Sequence, residues 1–243
     1  MQKIVRSETL GDKVFDVMKQ MILDMKPGAN RLPSEDELAK NLGVSRTTVR
    51  DSMHALLLQG AITKVKGKGT FGHPEVFQAE NRVDLFPDFY KLLTQQHKNV
   101  ELKTHIQGKI PPGEKYLRYF KNHTPGEKVF AMEWLYYADG GAKIYGRFEF
   151  PLTVFRELPV PSDIILNLPA FGTRYLYRDI AYCIMHLKCG LNDDAANLFK
   201  IEHDVPMQCW EEVVYDVEDR AIGFCKFYLH PTDMVMSIIT KFS

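Results

Sequence analysis

The run Ser45-Arg46-Thr47-Thr48-Val49-Arg50 sets short hydroxyl donors beside two guanidiniums. Hydroxyls of that reach hold phosphate oxygens, and a guanidinium offers two parallel N–H donors to the O6/N7 edge of guanine. Further on, Lys66-Gly67-Lys68-Gly69 places two ammonium groups among glycines, a turn that can approach a groove wall closely while its cations neutralise phosphates. This is chemistry for double-stranded DNA. Arg46 and Arg50 would read bases, and Lys40, Lys64, Lys66 and Lys68 would supply attraction that does not depend on sequence. The Gly-Lys-Gly-Thr string is not a nucleotide-phosphate loop, because the glycine that such a loop needs five residues earlier is missing.

The elements that must position these groups are also spelled out. Ser34 and Glu37 have the spacing of a capping box, and Leu38 and Leu42 give the short helix behind it an apolar stripe. Gly43 supplies a left-handed stop, and Ser45 caps a second helix directly. On that helix Val49, Met53, Leu56 and Leu57 recur at three and four residues and must face inward, which turns Arg46, Thr47 and Arg50 outward at the positive end of the dipole. Gly60 ends it. Residues 61–65 and 70–71 read as two strands around the basic turn, a wing. Ahead of all this, residues 9–25 form a helix whose Leu10, Val14, Val17, Met18, Met21 and Ile22 share one face, closed by Pro27-Gly28.

The competing reading is a helical hairpin whose charges are merely solvated. Charge distribution weighs against it: residues 1–73 hold 12 Lys+Arg and 8 Asp+Glu, and residues 74–243 hold 19 and 23, so a neutral chain divides into +4 and −4.

From Pro27 to Phe71 the chain resembles the N-terminal winged helix-turn-helix of the GntR family of bacterial transcription regulators, whose pattern is PGxxLPSExELAxxLGVSRxTVRxAxxxLxxxGxxxxxxGxGTF. The resemblance implies DNA contacts at Ser45, Arg46, Thr47, Thr48 and Arg50 on the recognition helix and at Lys66, Gly67, Lys68 and Gly69 on the wing. One position departs. Members often carry arginine where this chain has Asp36, and an aspartate there cannot hold a phosphate or a guanine edge.

The whole chain, 243 residues with 45% hydrophobic and 12% aromatic content, suits two packed cores. No stretch has the length of a signal peptide core or a membrane span. The four cysteines, Cys183, Cys189, Cys209 and Cys225, form no CxxC pair, which points to a reducing bacterial cytoplasm and to buried thiols. His186 between Cys183 and Cys189 invites a metal reading, but on a helix the three spread over a wide arc and no fourth ligand is evident. The sequence therefore names no metal site, catalytic residue or cofactor.

The expected domains are 1–73 for the head, 74–81 for a linker and 82–243 for an α+β body. In the body, residues 84–96 read as a helix and 101–110 as a strand. Two aromatic runs flank Ala138-Asp139-Gly140-Gly141, a strong hairpin signal. Residues 155–167 read as loop and short helix, 174–187 and 192–199 as helices, and 207–215 and 221–228 as paired strands. With ADGGAKIYGRFEFP and AIGFCKFYLHPTDM, this layout resembles the UTRA effector domain of the HutC branch, which has a chorismate-lyase-like fold. That resemblance implies a small-metabolite pocket on an antiparallel sheet, a homodimer, and repression relieved by the metabolite.

The pocket differs from the family's pattern. Members that bind sugar phosphates place arginines on the strand before the DG turn, where this chain has Met132-Glu133-Trp134-Leu135-Tyr136-Tyr137, and two usual glutamates fall at Gly146 and Gly223. The anion clamp is lost and aromatic wall gained, so the expected effector is less phosphorylated, larger or more aromatic than a sugar phosphate. Arg147, Glu149, Arg174 and Arg178 are candidate polar partners, with Trp134, Tyr136 and Tyr228 as candidate walls. Surface ion pairing and simple core packing compete for each. A ligand-blind dimer, an activator and a retained lyase-like activity stay open as alternatives.

Overall fold

A computed structural model describes residues 9–80, 82–85, 88–160, 167–232 and 234–241. The chain divides into two compact units, a head of residues 1–87 with 235–243 and a body of residues 88–234.

In the head, α1 (Leu10–Leu23) starts at Thr9, whose hydroxyl accepts from the Asp12 amide while Asp12 answers in a capping box. Its inward Val14, Met18 and Ile22 meet Leu38 and Ala39 of α2 (Glu35–Leu42) and Val49, Met53 and Leu56 of α3 (Arg46–Leu58) in one core. Ser34 and Glu37 form the expected box on α2, and Gly43 closes it at φ 65°. The strands β1 (Ile62–Val65) and β2 (Gly69–Gly72) pair antiparallel as the wing, and Arg31 bridges to Phe71 as a short third partner. Pro74–Phe77, placed in the linker by sequence, is a 3-10 turn whose Val76 and Phe77 pack on the head's core. The chain's far end joins this unit as well. Ser237 bridges to Arg82, and the Lys241 Nζ donates to the Leu58 carbonyl at 2.9 Å.

The body is an antiparallel sheet of six strands: β3 (Val100–Ile110), β4 (Val129–Ala138), β5 (Gly141–Pro151), β6 (Ile180–Gly190), β7 (Met207–Asp216) and β8 (Ala221–Leu229), in the order β3-β4-β5-β8-β7-β6. The β4–β5 connection is the expected tight turn, with Asp139 and Gly140 at φ 48° and 83°, the conformation a two-residue hairpin demands. One face is a sheet of rings. Trp134, Tyr136, Phe148, Phe150, Trp210 and Phe227 are all at least 95% buried there, under Phe89 of α4 (Phe89–Gln96) and Phe171 of α6 (Leu168–Tyr175). The other face packs on α5 (Glu114–Tyr119) through Tyr116 and on α7 (Asp193–Phe199) through Ala195 and Phe199. Rings of this size each contribute on the order of 2 kcal/mol of burial.

Three expectations need correction. Residues 174–187 are not one helix: α6 ends at Tyr175 and β6 begins at Ile180, pairing along its length with β7. β6 is an outermost strand with Tyr182, Ile184 and Leu187 exposed, so it lacks the clean alternation that marks a half-buried strand. The first helix of the body starts at Phe89, capped by Asp88, rather than at residue 84. The thiols are not uniformly buried either, since Cys209 and Cys225 are buried, Cys183 is half-buried and Cys189 is exposed on β6. Residues 161–166 of the loop expected at 155–167 lie outside the described residues.

Candidate nucleic-acid interface

The first turn of α3 is built to meet a polyanion. Ser45 caps it, its Oγ accepting from the Thr48 amide at 3.1 Å and lying 2.8 Å from the Thr48 hydroxyl. Ser45 and Thr48 are thus occupied with each other, and a phosphate would share their hydroxyls rather than find them bare. Arg46 and Arg50 project from the same end with 60% of each side chain exposed, and Thr47 is exposed between them. Behind them, Ser52 is buried and donates to the carbonyls of Gly11 and Thr48, fastening α3 to α1.

Neither arginine hangs free. Asp36 Oδ1 lies 2.8 Å from the Arg46 Nε, and Glu35 Oε2 lies 3.2 Å from the Arg50 Nε. Glu35 spans two cations, its Oε1 accepting from the Lys64 Nζ at 2.9 Å, and this lysine holds its carboxyl below the usual glutamate range. On the wing, Lys66 and Lys68 are exposed and carry no side-chain ion pair among the described residues. Gly67 turns the tip at φ 75° with open space around it. Gly69 is needed for its φ of 114°, and its bare Cα lies beside the Arg31 guanidinium, whose Nε would be 2.8 Å from a Cβ there.

That contact reveals Arg31, which the sequence reading did not single out, as a further cation beside the wing. Glu35 is the other residue missed. Only the fold, by bringing the first turn of α2 against α3 and β1, shows that it organises Arg50 and Lys64.

The residues expected around an effector are not gathered at one place. Trp134 and Tyr136 lie in the packed ring face. Arg147, Glu149 and Tyr228 occupy the opposite face by strand register; Arg147 pairs with Glu149 at 3.0 Å, and Glu149 also accepts from the Gly113 amide at 2.9 Å. Arg174 stacks on Tyr175, and Arg178 pairs with Asp216 at 3.0 Å. Gly146 and Gly223, where the family's glutamates are absent, sit directly under rings: a Cβ on Gly146 would come within 2.6 Å of Phe227, and one on Gly223 would overlap Phe150. Two clefts of the body lie elsewhere among the described residues, one of about 470 Å³ lined by Tyr90, Lys98, Glu101, Lys103 and Tyr137, and one of about 360 Å³ around Pro111, His123 and Pro125.

The profile of the bacterial regulatory proteins of the gntR family matches residues 10–71, from the start of α1 to the returning strand of the wing. The head is a GntR-family domain. Relatives of the chain include the transcriptional repressor NagR of Bacillus subtilis, 34% identical over 82 residues, which are 32% of this chain and 34% of NagR. The mannosyl-D-glycerate transport/metabolism system repressor MngR of Escherichia coli is 26% identical over 150 residues, 60% of each chain. The chain thus matches from a third to three-fifths of these relatives' length. Among solved structures, the possible transcriptional regulator YydK of Bacillus subtilis superposes with a TM-score of 0.71 at 15% identity, over 96% of this chain and all of that one. PhnF of Mycobacterium smegmatis superposes at 0.55 and 18% identity, over 94% and 99%. At such identities the likeness concerns fold: a GntR head followed by an antiparallel sheet with flanking helices. Among the described residues no helix is long and apolar enough to cross a membrane.

Proposed function

We propose that this protein is a transcription regulator, a repressor that binds operator DNA as a homodimer through its GntR head and releases it when a small metabolite binds the body. The observation that carries the reading is the capped first turn of α3, which presents Arg46, Thr47 and Arg50 outward beside a wing tipped by Lys66 and Lys68. A helix so equipped enters a major groove with its N-terminal residues against base edges, while the wing lies along the backbone. Two copies would read half-sites about 34 Å apart.

Support for the dimer comes from β6, whose exposed Tyr182, Ile184 and Leu187 form an apolar outer strand that a second body could cover. Support for the effector rests on the body's fold and on the relatives' naming as repressors, and the lack of arginine on β4 favours an effector with aromatic or apolar bulk over a sugar phosphate. The body is read as a sensor and not as an enzyme.

The test is fluorescence anisotropy of the purified chain on DNA from upstream of its own coding region, against random DNA, with a panel of sugar phosphates, amines and aromatic acids. Tight specific binding that one metabolite weakens supports the whole reading. Equal binding to both DNAs would sink the regulator, and a clear response to a sugar phosphate would sink the effector preference.

A further inference from the structure

Both arginines of the recognition helix have their Nε atoms beside carboxylates on the first turn of α2, as a hydrogen bond for Arg50 and as an ion pair for Arg46. For Arg50 the partner is Glu35, which is only 23% exposed and is also committed to Lys64. For Arg46 it is Asp36, two-thirds exposed. The third acid of that turn, Glu37, is consumed in capping Ser34. All three lie at the positive end of the α2 dipole, where negative charge is favoured.

Beyond that favourable helix-end position, Asp36 has one ion-pair partner among the described residues, Arg46. An ion pair this exposed contributes little to stability. A carboxylate on a surface meant for phosphates also repels them. Its geometry gives it a different use. A guanidinium can address guanine in two ways: edge-on through Nε and one terminal nitrogen, or end-on through the two terminal nitrogens. With Asp36 Oδ1 2.8 Å from the Arg46 Nε, the edge-on approach is obstructed while the end-on pair is left open, and a long, rotamer-rich side chain is biased before DNA arrives.

We infer that Asp36 is a specificity-determining positioning residue, which fixes Arg46 for end-on reading of one guanine per half-site without touching DNA itself. The inference rests on the regulator reading above. It also gives Asp36 a role that the sequence, which shows only that an aspartate cannot contact a phosphate, does not supply.

The test is selection of bound sequences from a library randomised across the operator, using the full chain as wild type, Asp36→Ala, Asp36→Asn, Asp36→Glu, Arg46→Ala and the Asp36→Ala/Arg46→Ala pair. Thermal unfolding of each variant serves as a folding control. Removing the carboxylate should flatten the guanine preference on the order of tenfold, at the same position that Arg46→Ala flattens. Asp36→Glu should restore most of it, and the double variant should lose no more than Arg46→Ala alone. Affinity for random DNA should rise in Asp36→Ala, because a negative charge is gone. If Asp36→Ala strengthens binding to all sequences alike with preference intact, Asp36 is only a charge and the inference fails. A change at a position that Arg46→Ala leaves alone would mean that Asp36 reads a base itself, which also overturns it. A wild-type chain without any preference would overturn the regulator reading along with this one, and its own selection profile distinguishes that case from failure of Asp36 alone.

Discussion

The head and the body treat their polar side chains in opposite ways. In the head the cations stand at the surface, in partly exposed pairs: Arg46 with Asp36, Arg50 and Lys64 with Glu35. Among the described residues of the body four acids are buried, and three of them are consumed. Glu149 is held by Arg147 and the Gly113 amide, Glu211 by Lys188 and Lys115, and Asp216 by Arg178, Arg220 and two turn amides. The head's pairs leave their cations open to solvent, whereas a packed sheet pairs its charges because an unpaired one costs several kcal/mol. Glu212 breaks the body's pattern. It is 6% exposed on β7, with no hydrogen-bond or ion-pair partner among the described residues, and burial pushes its carboxyl up to about 7.

The contrast can be broken most severely at the ring face. Gly223→Glu would drive a carboxylate into Phe150 and should cost the body more than about 3 kcal/mol, read as a lowered calorimetric transition. An unchanged transition would mean that the ring face does not support the sheet. Next comes Glu212. Its folded-state pKa lies above the unfolded value of 4.5, so it contributes no penalty below that pH and a growing one as pH rises through about 7. Glu212→Gln should therefore flatten the loss of stability between those pH values, a difference of about 3 kcal/mol at pH 8. A pH profile identical to wild type would show that Glu212 is compensated after all.

Smaller effects are expected in the head. Arg50→Ala should cost about 1–3 kcal/mol on specific DNA and much less on random DNA. Equal loss on both would reassign Arg50 to phosphate contact. Lys68→Ala should weaken all DNA alike and reduce the salt slope by about one. If Lys68→Ala instead altered base preference, the wing would be reading sequence.

How much of this could be read beforehand follows the same division. The head declares itself through local signals that physics ties to position: Ser34 with Glu37, Gly43 at a left-handed stop, Ser45 before the recognition helix. Each acts within four residues, so a linear reading finds it. The Asp139-Gly140 turn is local too, and it was found. What escaped depends on distant partners. The strand character of residues 180–190 comes from pairing with β7, and its exposed Tyr182, Ile184 and Leu187 hide the alternation that would have announced it. The grips of Glu35 and Asp36 on α3 are invisible in a pattern that matches residues one at a time. Trp134 and Arg147 fall on opposite faces because odd and even positions along β4 and β5 point apart, which residue type alone cannot show.

The lysine that closes the recognition helix comes from the far end of the chain. Lys241 donates to the carbonyl of Leu58, the last residue of α3, and Ile239 stands beside Gly60, 183 residues after the helix in the case of the lysine. As the chain leaves the ribosome, the head's three helices and wing emerge first, yet the carbonyl at the end of α3 waits for its donor until the whole body has been made. Synthesis therefore completes the head only after the body, and a chain cut short in the body yields a head lacking this tie.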